Sequence, residues 1–193
     1  MRILIAEDEP EIWKPYQIAL EARNHQVTIT ETGTECLRIY YNEMSKKQDT
    51  DLELLSSSSE KNNSNVNSFP SPVPPPFDVV ILDYRIPEKD GMEVAREIVE
   101  LNPDQRLIFA SAYVKETLED SVKQLKKVVE LLQKPFELDV LIETVEDVAV
   151  YAELKKLMTS AKYVQQESEP TQEQMRDLFE GLRNIQRGRI SLM

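Results

Sequence analysis

The sequence predicts an α/β chain: a doubly wound, five-stranded parallel sheet of order 2-1-3-4-5, followed by a C-terminal helical extension. Two observations predict the sheet. Segments of strand and helix character alternate five times between Arg2 and Val150, and that order implies parallel strands joined by crossover helices. The strands are apolar runs rather than polar–apolar alternations. In Phe77–Leu82 only Asp78 is polar, which suits a strand buried on both faces. A third observation points to a site. Asp83 follows that run directly, ahead of the turn residues Pro87, Glu88, Lys89, Asp90 and Gly91. It therefore stands at the carboxyl end of a central strand, the rim where open parallel sheets bind ligands.

Composition narrows the classes. A chain of 193 residues with a 40% hydrophobic share has material for one core and extra segments. A formal net charge of −12 disfavours direct binding to nucleic acid or an anionic membrane. One cysteine, Cys36, excludes an internal disulfide and fits a reducing compartment. No apolar run reaches the length of a membrane span, and the start, MRILIAEDE, is too acidic for a secretory signal. These features predict a soluble cytoplasmic protein.

Taken in order, Arg2–Ala6 is the first strand, ending in Glu7, Asp8 and Glu9. Pro10 suits the first turn of the helix that follows. Pro15 predicts a kink there or a late start. Ile12, Trp13, Tyr16, Ile18 and Leu20 supply that helix's apolar surface. Gln26–Thr30 is a second strand, rich in β-branched residues, and a helix over Thr34–Met44 follows, with Cys36 on its buried side. The stretch 46–76 contains SSSS, NNSNVNS and SPVPPP and reads as a flexible insertion. After the central strand come a helix over Met92–Leu101, a strand over Arg106–Ala110 ending at Ser111, and a helix over Glu116–Lys127. A fifth strand, Val128–Leu132, leads to Lys134, Pro135 and Phe136. A long helix begins near Glu137, with Leu138, Leu141, Ile142, Val145, Val148 and Leu154 at helical spacing. The expected organisation is a domain over 1–150, interrupted at 46–76, and a helical extension over 151–193.

The extension carries a capping-box pattern, Thr171 with Gln174, and an apolar stripe, Met175, Leu178, Phe179, Leu182 and Ile185. It is too short to be a DNA-binding module. Three destinations stay open for the stripe: its own domain, a second copy in a homodimer, or another protein.

With strand order 2-1-3-4-5, the first and third strands are neighbours at the switch point, so Asp8 and Asp83 come together with Glu7 close by. Three gathered carboxylates repel one another and suit a hard divalent cation, and Mg²⁺ in particular suits few carboxylates with retained waters and a phosphate oxygen. Lys134 and Ser111, at two other strand ends, are placed to contact an anionic group.

AEDEP, ILDYRIPEKDG, the pair Ser111 and Ala112, and the run Lys134, Pro135, Phe136 resemble the receiver domain of two-component response regulators, whose fold is flavodoxin-like. The resemblance covers about residues 1–150. It implies that Asp83 is the phosphoacceptor, and that Glu7, Asp8, Asp83 and the Arg85 carbonyl hold Mg²⁺, Glu7 through water. It implies that Ser111 and Lys134 contact the phosphoryl group. The implied donor is a sensor histidine kinase or a phosphotransfer protein, the output an unidentified downstream protein, and the chain a signalling domain rather than an enzyme. One departure stands out. The family's aromatic residue three positions before the lysine is here Leu131, which puts the usual switch in question. The alternative reading is a phosphorylation-independent interaction module on the same fold.

Overall fold

The structure is a computed structural model that describes residues 1–57, 74–112, 125 and 127–167. Five strands form one sheet: β1 Arg2–Ala6, β2 Gln26–Thr30, β3 Val79–Leu82, β4 Leu107–Ser111 and β5 Glu130–Gln133. All pairings are parallel and the order is β2-β1-β3-β4-β5. The expected fold class is therefore observed. Successive strand residues face opposite sides of the sheet. Leu4, Ala6, Val80, Leu82, Leu107 and Phe109 join one cluster with Cys36, Leu37 and Tyr40 of α2 (Gly33–Ser57) and Met92, Ala95 and Ile98 of α3 (Gly91–Leu101). Their neighbours Ile3, Ile5, Val79, Ile81 and Ile108 are buried too. Both faces of the sheet are thus covered, which is why the strands read as apolar runs.

Helix α1 (Pro10–Glu21) starts at Pro10 and runs through Pro15, so the late start considered above does not occur. Pro10 sits where a missing N–H costs no bond. Helix α2 passes well beyond Met44 to Ser57, into the stretch expected to be a flexible insertion. The reason is local. Lys46, Gln48, Leu52, Glu53 and Leu54 are good helix formers, and Lys46 pairs with Glu43 one turn earlier at 2.6 Å. The returning chain is fastened where it reaches β3. Lys47 Nζ donates to the Pro75 carbonyl at 2.6 Å, and Arg2 donates to the Pro76 carbonyl at 2.9 Å.

The chain divides into two compact units, Met1–Ile142 and one beginning at Glu143. The long helix expected from Glu137 is two helices, α4 (Leu138–Glu146) and α5 (Val148–Glu167). Asp147 interrupts it. Its carboxylate accepts from the Val150 N–H at 2.9 Å, and an aspartate that satisfies a free amide this way starts a new helix rather than continuing the old one. The helix expected over Glu116–Lys127, apart from Leu125 and Lys127, and the Met175–Ile185 stripe lie outside the described residues. No helix among the described residues is long and apolar enough to cross a membrane.

Candidate functional site

The strand ends build the site. The Asp83 N–H donates to the Ala6 carbonyl at 2.9 Å, so the carboxyl ends of β1 and β3 stop side by side. Glu7 and Asp8 leave one end and Asp83 leaves the other. The loop after Asp83 is pinned from behind. Asp90 caps α3 by accepting from the Met92 and Glu93 N–H groups at 2.8 Å, while Glu93 returns a bond to the Asp90 N–H, a reciprocal cap. The Gly91 N–H donates to the Tyr84 carbonyl at 3.0 Å. A Cβ on Gly91 would stand 2.0 Å from the Asp83 carbonyl oxygen. Only glycine lets the helix start this close to the Asp83 backbone.

Lys134, after β5, reaches across the sheet rim. Its ammonium donates to Asp83 Oδ2 at 2.9 Å and to Glu7 Oε2 in a still shorter contact. Its backbone N–H donates to the Ser111 carbonyl at 3.0 Å, tying the ends of β4 and β5 together. The Lys134–Pro135 peptide bond is cis. Lys134 and Asp83 side chains are each 12% exposed and Glu7 is 2% exposed. Burial opposes the charge on Lys134, but its hydrogen bonds to Glu7 and Asp83 outweigh burial and hold its pKa above the usual lysine value. Burial pushes the Glu7 carboxyl up, with Lys134 pulling the other way.

An open cleft of about 740 Å³ lies at this rim. Its lining combines the polar Asp8, Glu9, Glu11, Asp83, Arg85, Ser111 and Lys134 with the apolar or aromatic Ile12, Pro15, Tyr16, Phe136 and Leu138. Every sequence-predicted residue except Glu7 faces the cleft. Glu7 is buried and engaged by Lys134. Glu7 and Asp83 share the Lys134 ammonium, and Asp8 lines the same cleft as Asp83; among the described residues, no group of three or more His, Cys, Asp or Glu side chains is placed to hold a metal ion. One ammonium lies between Glu7 and Asp83 and offsets part of their combined charge. What remains in the cleft wall is an oxygen-only donor set, the carboxylates of Asp8 and Asp83, which suits a hard cation that keeps most of its waters. The Arg85 N–H lies 3.4 Å from Asp83 Oδ1.

Sequence reasoning missed Tyr16 as a wall of the cleft. Its ring stacks on Phe136 with centroids 5.5 Å apart. Helical spacing placed Tyr16 among core residues, and no one-dimensional pattern separates a core tyrosine from one at a cleft.

Residues 71–146 match the family model for the response regulator receiver domain. The chain is similar to the response regulator receiver protein CpdR of Brucella abortus, 30% identical over 77 residues, or 40% of this chain. It is also similar to the chemotaxis protein CheY of Listeria monocytogenes, 33% identical over 73 residues, or 37% of this chain. The aligned regions span 63% and 60% of those proteins' lengths. Among solved structures, the response regulator protein TrrA of Thermotoga maritima, in complex with Mg²⁺ and beryllofluoride, superposes with a TM-score of 0.52 at 26% identity. That match covers 75% of this chain and 96% of TrrA. A response regulator receiver domain protein from Clostridium thermocellum matches with a TM-score of 0.53 at 24% identity, over 79% and 97% of the two chains.

Proposed function

We propose that this chain, which resembles the receiver domain of response regulators in sequence and in fold, accepts a phosphoryl group on Asp83. The observation that carries the reading is the Asp83 carboxylate itself. It opens into a cleft at the switch point between β1 and β3, with the Lys134 ammonium 2.9 Å from one oxygen. The donor is a phosphohistidine on a sensor kinase or a phosphotransfer protein. A carboxylate oxygen of Asp83 attacks phosphorus, the bond from phosphorus to the donor nitrogen breaks, and an acyl phosphate forms. Lys134 is placed to balance the negative charge spread over the phosphoryl oxygens. Ser111, at the neighbouring strand end, supplies a hydroxyl donor to the same group.

Asp8 and Asp83, with the Arg85 carbonyl, would hold Mg²⁺. When bound, that ion would lower the charge repulsion between Asp83 and the incoming phosphoryl group. Glu7, held on Lys134, keeps the ammonium aimed at Asp83. The chain is then a cytoplasmic signalling module whose output is a contact with another protein, not a turnover enzyme. Intact-mass measurement after incubation with Mg²⁺ and acetyl phosphate tests this. The wild type gains one phosphoryl mass and Asp83→Asn gains none; an equal gain in the variant overturns the assignment.

A further inference from the structure

The phosphoacceptor reading leaves Glu9, Glu11 and Tyr16 of the cleft lining unused, and of these three only the tyrosine carries a hydrogen-bond donor in its side chain at neutral pH. Tyr16 is 7% exposed, and its ring is fixed against Phe136 in a stack inclined by 21°. It lines the same cleft as Asp83, Ser111 and Lys134. Among the described residues its hydroxyl has no hydrogen-bond partner, yet it is not among the oxygens sealed from solvent without one. A buried tyrosine normally satisfies its hydroxyl. Here the residue lines the cleft and its phenol feels the Glu7 and Asp83 carboxylates, which leaves the hydroxyl available to solvent or to a group bound beside them.

We propose that the Tyr16 hydroxyl is a hydrogen-bond donor of the phosphoryl site, positioning the group carried on Asp83; this rests on the reading of Asp83 as the phosphoacceptor. The chemistry is complementary. A phosphoryl group brings acceptor oxygens and needs several donors. Lys134 already divides its donors between Glu7 and Asp83. Tyr16 remains a donor throughout the working pH range, because burial and the nearby carboxylates of Glu7 and Asp83 push its phenol above the ordinary tyrosine value. The stack on Phe136 fixes the ring in advance, so little side-chain freedom is lost when the bond forms.

Tyr16→Phe removes the hydroxyl and keeps the ring. The test compares beryllofluoride affinity in Mg²⁺ for the wild type, Tyr16→Phe and Asp83→Asn, alongside thermal melts. Tyr16→Phe should bind about three- to tenfold more weakly, as one neutral hydrogen bond is worth, with an unchanged melting temperature. Wild-type affinity in Tyr16→Phe, together with no binding by Asp83→Asn, overturns this inference and leaves the phosphoacceptor reading intact. Absence of binding by the wild type overturns both. A lower melting temperature with unchanged affinity assigns Tyr16 to packing alone and also overturns the inference.

Discussion

Asp83 and Glu7 are both acids at strand ends, and their surroundings give them different work. Asp83 opens to the cleft, while Glu7 is buried and engaged by Lys134. The sequence shows both as strand-end acids. It cannot show which one turns inward, because that depends on where a lysine far along the chain reaches. Cys36 illustrates the reverse case, a residue whose place was legible from helical spacing. It is fully buried, and burial pushes its thiol up to about 12. Thiolate is the reactive form. Iodoacetamide at pH 8 should therefore leave the native protein unlabelled and label it fully in denaturant, as read by intact mass. The raised pKa also ties stability to pH with one sign. It contributes stability below the ordinary thiol pKa of about 8.5 and loses it as pH rises towards 12.

Strands were the most legible elements, since a parallel sheet covered on both faces leaves an apolar run with a polar stop. β1 and β2 kept their expected bounds, and the ends of the other three moved by one or two residues, as with β4, which includes Ser111. Helix lengths were harder to read. The end of α2, at Ser57, and the interruption at Asp147, whose carboxylate accepts from the Val150 N–H, are local events that composition averages away. Polar groups between elements were not legible at all. Arg106 and Glu130 form a forked ion pair at 2.7 and 3.0 Å, each side chain only 5% exposed, joining the starts of β4 and β5. Gln105 beside them donates to the Phe77 and Arg106 carbonyls and accepts from the Tyr40 hydroxyl. Removing one member of such a pair strands a buried charge. Arg106→Met should cost about 3–5 kcal/mol in urea unfolding. The double variant Arg106→Met, Glu130→Leu should recover most of that loss, because two apolar groups replace two buried charges. A single variant as stable as wild type would show that water reaches Glu130.

Across the molecule, the sheet order brings Glu7, Asp83, Ser111 and Lys134 to one rim although they are far apart in the chain. The detour between α2 and β3 is closed at its base by the contacts of Lys47 and Arg2 with Pro75 and Pro76. Closing a loop at its base leaves the enclosed length with little influence on stability. Replacing residues 58–73 with a short Gly-Ser linker should therefore leave the melting temperature nearly unchanged and phosphoryl uptake intact. A large fall would show that the segment packs on the domain. Above all, one carboxylate, selected by its place beside Lys134, is expected to become an acyl phosphate, and chemical trapping reads this at the residue itself. The protein is incubated with Mg²⁺ and acetyl phosphate, reduced with borohydride, digested and mapped by mass spectrometry. Acyl phosphate at Asp83 is reduced to homoserine at that position alone; homoserine at another acidic residue, with Asp83 unchanged, would overturn the choice of Asp83 as phosphoacceptor.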